Sequence, residues 1–288
     1  MPKRHWLFSL IAVAGLWSVV PPVSAQTLLP YTPQLDSEQL EEYGLILIRD
    51  VVQLARFQQY DLALPRAKLA TQLAPNHFEG WYILGSLYLQ LDEVDQGIKV
   101  LEKARNLAPD EPGILFSLGA AYFQKDQYEQ AAQELESGLK LQPDSLEAWF
   151  DFGNANLMLK RFPEAIAAYQ KAYDLKEQFW PAVNNIGLVK YEQGDVQGAI
   201  DYWRTALAID QEAAEPQLAI AVALYNQGKV EEGLALGEIA LNMDGRYADL
   251  EYLKENLWGE RLISATTEFL STPQMQAIVA RFTNPLDP

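Results

Sequence analysis

Six consecutive windows of 34 residues, beginning at Gly44, Phe78, Pro112, Leu146, Trp180 and Ala214, align with one another without an insertion. Position 8 reads Val51, Gly85, Gly119, Gly153, Gly187, Ala221, and position 20 reads Ala63, Gly97, Ala131, Ala165, Ala199, Gly233. Position 27 is Ala70, Ala104, Gly138, Ala172, Ala206, Ala240. Large apolar residues recur at position 7 (Leu84, Leu118, Phe152, Ile186, Ile220) and position 17 (Tyr60, Val94, Tyr128, Phe162, Val196, Val230), and Pro75, Pro109 and Pro143 close the first three windows. Apolar residues at this spacing give each helix one buried stripe, and small residues let two axes approach to the short end of roughly 8–10 Å. Each window therefore predicts a pair of antiparallel helices. Gly194 and Gly228 fall in the turns within pairs, where positive φ costs glycine least. Pro112, Pro163, Pro181 and Pro216 fall near helix starts, where a missing N–H removes no helical bond.

With Trp81, Leu84, Gly85, Tyr88 and Pro109 at this period, the sequence resembles the tetratricopeptide repeat (TPR) family. The resemblance implies an all-α, right-handed superhelical solenoid of six helix pairs over residues 44–247. In it the first helix of each pair lines a concave face. The first window departs from the pattern, with Asp50 at position 7 and Val51 at position 8, as an end repeat facing water tolerates. Pro65 predicts that the second helix of that window starts late or bends.

Residues 1–25 read as an export signal or an uncleaved N-terminal membrane anchor. Lys3 and Arg4 precede an apolar run from Leu7 to Val20, and Val23-Ser24-Ala25 offers a cleavage site. Either way, the charge asymmetry predicts repeats exported across, or anchored in, an inner or thylakoid membrane, in periplasm or lumen. Residues 26–43 make a linker and the start of the first helix, which Asp36 and Gln39 cap and which runs to Arg56. At the other end, residues 248–288 are expected to form capping helices over the exposed end of the stack. Tyr247, Leu250, Leu253, Leu257 and Trp258 share one amphipathic helix, followed by helices from Arg261 to Leu270 and from Pro273 to Phe282.

Composition excludes much chemistry. Cysteine is absent, which removes thiolate metal sites and cysteine nucleophiles, and histidine occurs only as His5 and His77, which leaves little for triads or imidazole acid–base catalysis. His77 is expected in a solvated turn. No glycine-rich phosphate loop is present, and acidic pairs such as Asp92-Glu93 and Glu231-Glu232 fall at turns or helix starts. The reading is a non-enzymatic chain with no cofactor and no metal. With 39 acidic against 22 basic residues and a net charge of −17, phosphate backbones and anionic headgroups are poor partners. A protein partner remains.

Such a partner would meet positions 2, 5, 6, 9, 12 and 13 of each window. The candidate groove residues are Tyr82, Ser86, Phe116, Phe123, Phe150, Asn154, Asn184, Asn185, Tyr191 and Tyr225. Aromatics at positions 5 and 12 serve binding and generic packing alike. The TPR mode that grips an acidic C-terminus uses Lys, Asn, Asn, Lys and Arg. Asn154 and Asn185 match its amides, but Phe150, Glu215 and Ala219 stand for its cations, so the partner expected here is a peptide or helix that is not strongly acidic. Asn154, Asn184 and Asn185 would bond its backbone while the aromatics take its side chains. At position 11, Asn156 requires a buried partner for its amide, and Lys190 either opens a pocket or snorkels to water.

Gln53 to Asn76 and Leu253 to Ile263 are similar to cyanobacterial TPR proteins of thylakoid biogenesis, among them one interacting with light-dependent protochlorophyllide oxidoreductase. That likeness implies a scaffold for assembly or maturation of membrane complexes. The alternative is a self-associating structural bridge in the cell envelope.

Overall fold

The computed structural model describes residues 36–283, so the expected signal or anchor (1–25) and the first part of the linker lie outside the described residues. Twelve helices form six pairs: α1 (Ser37–Arg56) with α2 (Tyr60–Leu73), α3 (Phe78–Gln90) with α4 (Val94–Leu107), and α5 (Pro112–Gln124) with α6 (Tyr128–Leu141). The series continues with α7 (Leu146–Met158) and α8 (Phe162–Leu175), α9 (Trp180–Glu192) and α10 (Val196–Ile209), then α11 (Ala214–Asn226) and α12 (Val230–Met243). Each helix packs on its pair mate and on the nearest helix of the next window, giving the all-helical solenoid read from the repeats. No strand occurs among the described residues.

Position 8 is small because position 24 fills the space opposite it. A Cβ added at Gly85 would lie 2.6 Å from Leu101 Cγ, at Gly119 2.5 Å from Leu135 Cγ, at Gly153 2.5 Å from Tyr169 Cε1, and at Gly187 2.6 Å from Trp203 Cδ1. The end windows reverse the exchange. Val51 at position 8 meets Ala67 at position 24 in one buried cluster. In the last window Ala221 is paired with Gly237, and the space above Gly237 is taken by Phe269, from beyond the repeats.

The turns within pairs share one geometry. Position 15 has positive φ in all six windows, at Gln58, Asp92, Asp126, Lys160, Gly194 and Gly228. The following N–H reaches back to the carbonyl of position 11, as in Glu93 N to Tyr88 O at 2.8 Å and Arg161 N to Asn156 O at 2.8 Å, a Schellman closure of the first helix. Between windows, Trp81 and Trp149 each donate Nε1 at 2.8 Å to the carbonyl of the preceding proline, Pro75 and Pro143.

Two expectations at position 11 resolve. Asn156 is buried and donates Nδ2 to Phe152 O at 2.8 Å. Lys190 is half-buried and reaches Asp195 at 3.3 Å, so it snorkels. Two others are corrected. The helix containing Pro65 does not start late: α2 begins at Tyr60, position 17, as every other second helix does. His77 is not merely solvated. It precedes α3 with Nε2 2.6 Å from Glu41 Oε1, tying the first inter-window turn to α1.

The C-terminal segment departs most from the sequence reading. After a 3₁₀ turn at Gly245–Ala248 come α13 (Leu250–Glu255), α14 (Glu260–Leu270) and α15 (Pro273–Thr283). Leu257 and Trp258 fall outside the expected amphipathic helix, because Leu257 adopts φ 64° and stops α13. The 3₁₀ turn and α15 pack on α12 as an end cap would, and Phe269 of α14 reaches Gly237 there, but α14 lies chiefly against α9 and α11, the first helices of the last two pairs.

Candidate partner-binding groove

The concave positions divide into an open half and a filled half. In the open half, Tyr82, Ser86, Phe116 and Phe123 are each half-buried, and Phe150 and Asn154, also half-buried, stand at its border with the filled half. Tyr82, Phe116, Phe123 and Phe150 pack one side against the cores between repeats. Phe150 meets Tyr169 and Phe179 at centroid distances of 5.7 and 5.2 Å, and Phe123 meets Tyr128 edge-on at 5.2 Å. These rings therefore pack and line the groove at once. Where α1 and α3 meet, Val52, Ala55, Ile83, Ser86 and Gln90 line an apolar cavity of about 380 Å³, with Ser86 Oγ turned back to Tyr82 O at 3.0 Å.

The other half holds the chain's own C-terminal segment. Tyr225 packs edge-on against Phe269 of α14 at 5.4 Å, and the Arg261 guanidinium lies 5.6 Å from the centre of the Tyr191 ring. Glu192 accepts the backbone N–H of Arg261 at 3.2 Å and of Leu262 at 3.0 Å, and so caps α14 at its positive end. Leu257 packs beside Leu157, Phe162 and Phe150, which carries the segment across to α7. Trp258 is buried and donates Nε1 to Glu215 Oε1 at 2.9 Å.

Beneath this segment the three amides expected to meet a partner bond one another instead. Asn154 Oδ1 accepts the Tyr169 hydroxyl at 2.9 Å and Asn185 Nδ2 at 3.2 Å; Asn185 Oδ1 in turn accepts Asn184 Nδ2 at 3.1 Å. Asn184 and Asn185 are only 1 % and 6 % exposed, and Tyr191 is buried as well. The sequence showed these residues on the concave helix face but gave no sign that another part of the chain covers that face.

Glu215, at position 2 of the last window, is the group that sequence reasoning misjudged. It stands where the acid-gripping mode has a cation, yet it is 7 % exposed and so is not a surface carboxylate. Burial pushes its carboxyl up to about 7, opposed by hydrogen bonds from Trp258 and Asn184. Asp151, on the groove face of α7, is pushed up to about 6, first by burial and then by Glu147. Phe150, Asn154, Trp180, Asn185, Glu215 and Tyr247 line a cavity of about 330 Å³ between α7 and the C-terminal segment, closed on its far side by Glu255, Asn256 and Leu257. Among the described residues no cluster of His, Cys, Asp and Glu has the geometry of a metal site. No helix there is long and apolar enough to cross a membrane.

Residues 50–178 match the family described as the TPR domain of cytochrome c-type biogenesis protein H, and residues 187–228 match the TPR repeat family. Among solved structures, a MamA protein is similar at 24% identity and TM-score 0.55, over 60% of this chain and 95% of that one. MamA from Desulfovibrio magneticus RS-1 is similar at 20% identity and TM-score 0.56, over 59% and 97%. YrrB, described as a TPR protein with an unusual peptide-binding site, is similar at 18% identity and TM-score 0.57, over 62% and 92%. At these identities the likeness is one of fold. No curated protein matches the chain.

Proposed function

The chain belongs to the tetratricopeptide repeat family, and on that premise we propose that it is a non-enzymatic scaffold whose concave groove binds a peptide or helix of a partner protein. One observation carries this reading: the groove is already a helix site, since α14 lies in its last two windows while the aromatic stripe from Tyr82 to Phe123 continues uncovered. A surface that seats its own amphipathic helix through rings and capped ends has what a foreign helix needs. The excess of acidic residues favours a partner that is neutral or basic.

The process proposed is assembly or maturation of membrane complexes, photosynthetic ones among them, on the far side of the membrane that the N-terminal segment addresses. Support comes from the match to the TPR domain of a cytochrome c-type biogenesis protein and from the charge pattern of residues 1–25. Ala120 provides the test, because it stands half-buried at position 9 in the middle of the open half. Native protein cross-linked in its membrane fraction should carry a defined partner, and Ala120→Arg should lose it while melting normally. Full retention by a folded Ala120→Arg protein would exclude the open groove as the binding surface.

A further inference from the structure

We propose that α13 and α14 are a groove ligand held in cis, latched at Trp258 and Glu215 in a form that requires a neutral Glu215 carboxyl, so that the last two windows open as that carboxyl ionises. This goes beyond the partner-binding reading and does not depend on who the partner is.

The geometry of the latch argues for the neutral acid. Asn184 Oδ1, on a side chain 1 % exposed, has no hydrogen-bond donor, while Asn184 Nδ2 is engaged by Asn185. Asn184 is also a neighbour of Glu215, and its amide N–H, like the Trp258 indole, works against the rise that burial produces, without cancelling it. A protonated Glu215 has a hydroxyl to give to that orphan acceptor, and its other oxygen still accepts from Trp258. An ionised Glu215 has no proton to give, and it would bury a charge that only two neutral donors, the Trp258 indole and the Asn184 amide, can meet.

No cation compensates. The titratable groups around Glu215 are Tyr169 from α8 and Tyr247 from the 3₁₀ turn, both phenols held protonated by burial, together with Glu255, which shares its cavity. Asp151 of α7 lies beyond Tyr169 and is also acidic. Burial raises the Glu215 carboxyl from 4.5 to about 7. With the segment lifted away and water admitted, the carboxyl returns toward its ordinary value. Closure then binds a proton between those two values, is strongest below pH 4.5, weakens as pH rises and is constant again above about 7.

The chain has no cysteine, so two introduced ones carry spin labels uniquely. Gln124 ends α5 and Glu251 lies on α13, and both are exposed. In the full-length protein labelled at Gln124→Cys and Glu251→Cys, the distance distribution is measured by double electron–electron resonance at pH 5.5 and pH 8.5. The ratio of open to closed molecules should rise by up to about 30-fold at the higher pH. Glu215→Gln mimics the neutral acid, because its amide donates to Asn184 and its carbonyl accepts from Trp258. It should hold the closed distance at both values. A distribution identical at the two pH values in the otherwise native protein overturns the proposal, as does a Glu215→Gln protein that responds to pH as the native one does. Neither readout involves a partner, so failure here leaves the binding reading standing, and loss of a partner leaves the latch standing.

Discussion

Gly187 and Gly228 are both glycines in a repeat, yet they are there for different reasons, and single substitutions separate them. Gly187 faces the Trp203 ring, so Gly187→Ala overpacks a buried pair and should cost about 1–3 kcal/mol in chemical denaturation. Gly228 has φ +83° and nothing within 4 Å, so Gly228→Ala meets open space and should cost only the roughly 1 kcal/mol of a left-handed residue. Glu215→Gln should behave in a pH-dependent way. The folded carboxyl stays protonated up to about 7 while the unfolded one ionises from 4.5, so native stability falls across that interval. The variant should therefore match the native protein near pH 4.5 and exceed it by on the order of 3 kcal/mol at pH 8, measured by thermal melts at both. Small residues at position 8 were legible in the sequence because they repeat. Their opposite numbers at position 24 were not, since Leu101, Leu135, Tyr169 and Trp203 vary in type and share only bulk.

At the scale of the element, the helix pairs were legible because period, prolines and turn residues agree, and α1 ends at Arg56 as read. The turn chemistry was visible only at Gly194 and Gly228; Gln58, Asp92, Asp126 and Lys160 adopt the same left-handed geometry without announcing it. Of the two expectations for Pro65, a late start or a bend, the late start is excluded, since α2 begins at Tyr60. The proline lies in the second turn of α2, where it forfeits one backbone bond rather than ending the helix. Pro65→Ala should restore that bond and raise stability by about 1–3 kcal/mol, seen as a higher midpoint in urea. The path of α13 and α14 was not legible at all. An amphipathic pattern states that a helix has an apolar face, not which of two apolar surfaces it will meet, and both the end of the stack and the concave face were available.

Across the whole molecule, a stack of repeats is held by contacts between neighbours, and its ends fray first. The returning segment adds contacts that skip the nearest-neighbour rule, since Leu257 packs with residues of α7 and α8 while α14 bridges α9 and α11. Hydrogen exchange of the native protein should accordingly show α7 to α12 opening as one unit. In Trp258→Ala the last two pairs should exchange faster than α7 and α8. The exchange of bulk between positions 8 and 24 has a consequence of another kind. In the first five windows both members of each couple lie within one window, so each of these carries its own lock and key, whereas the last borrows Phe269 from beyond the repeats. A gene for this chain can gain or lose a window by crossover at an inter-window turn and keep each couple matched. A crossover at the turn inside a pair would keep Gly85 matched by Leu135, but it would set Val51 against Tyr169, or Gly153 against Ala67, so for the first window only the inter-window seam preserves the match.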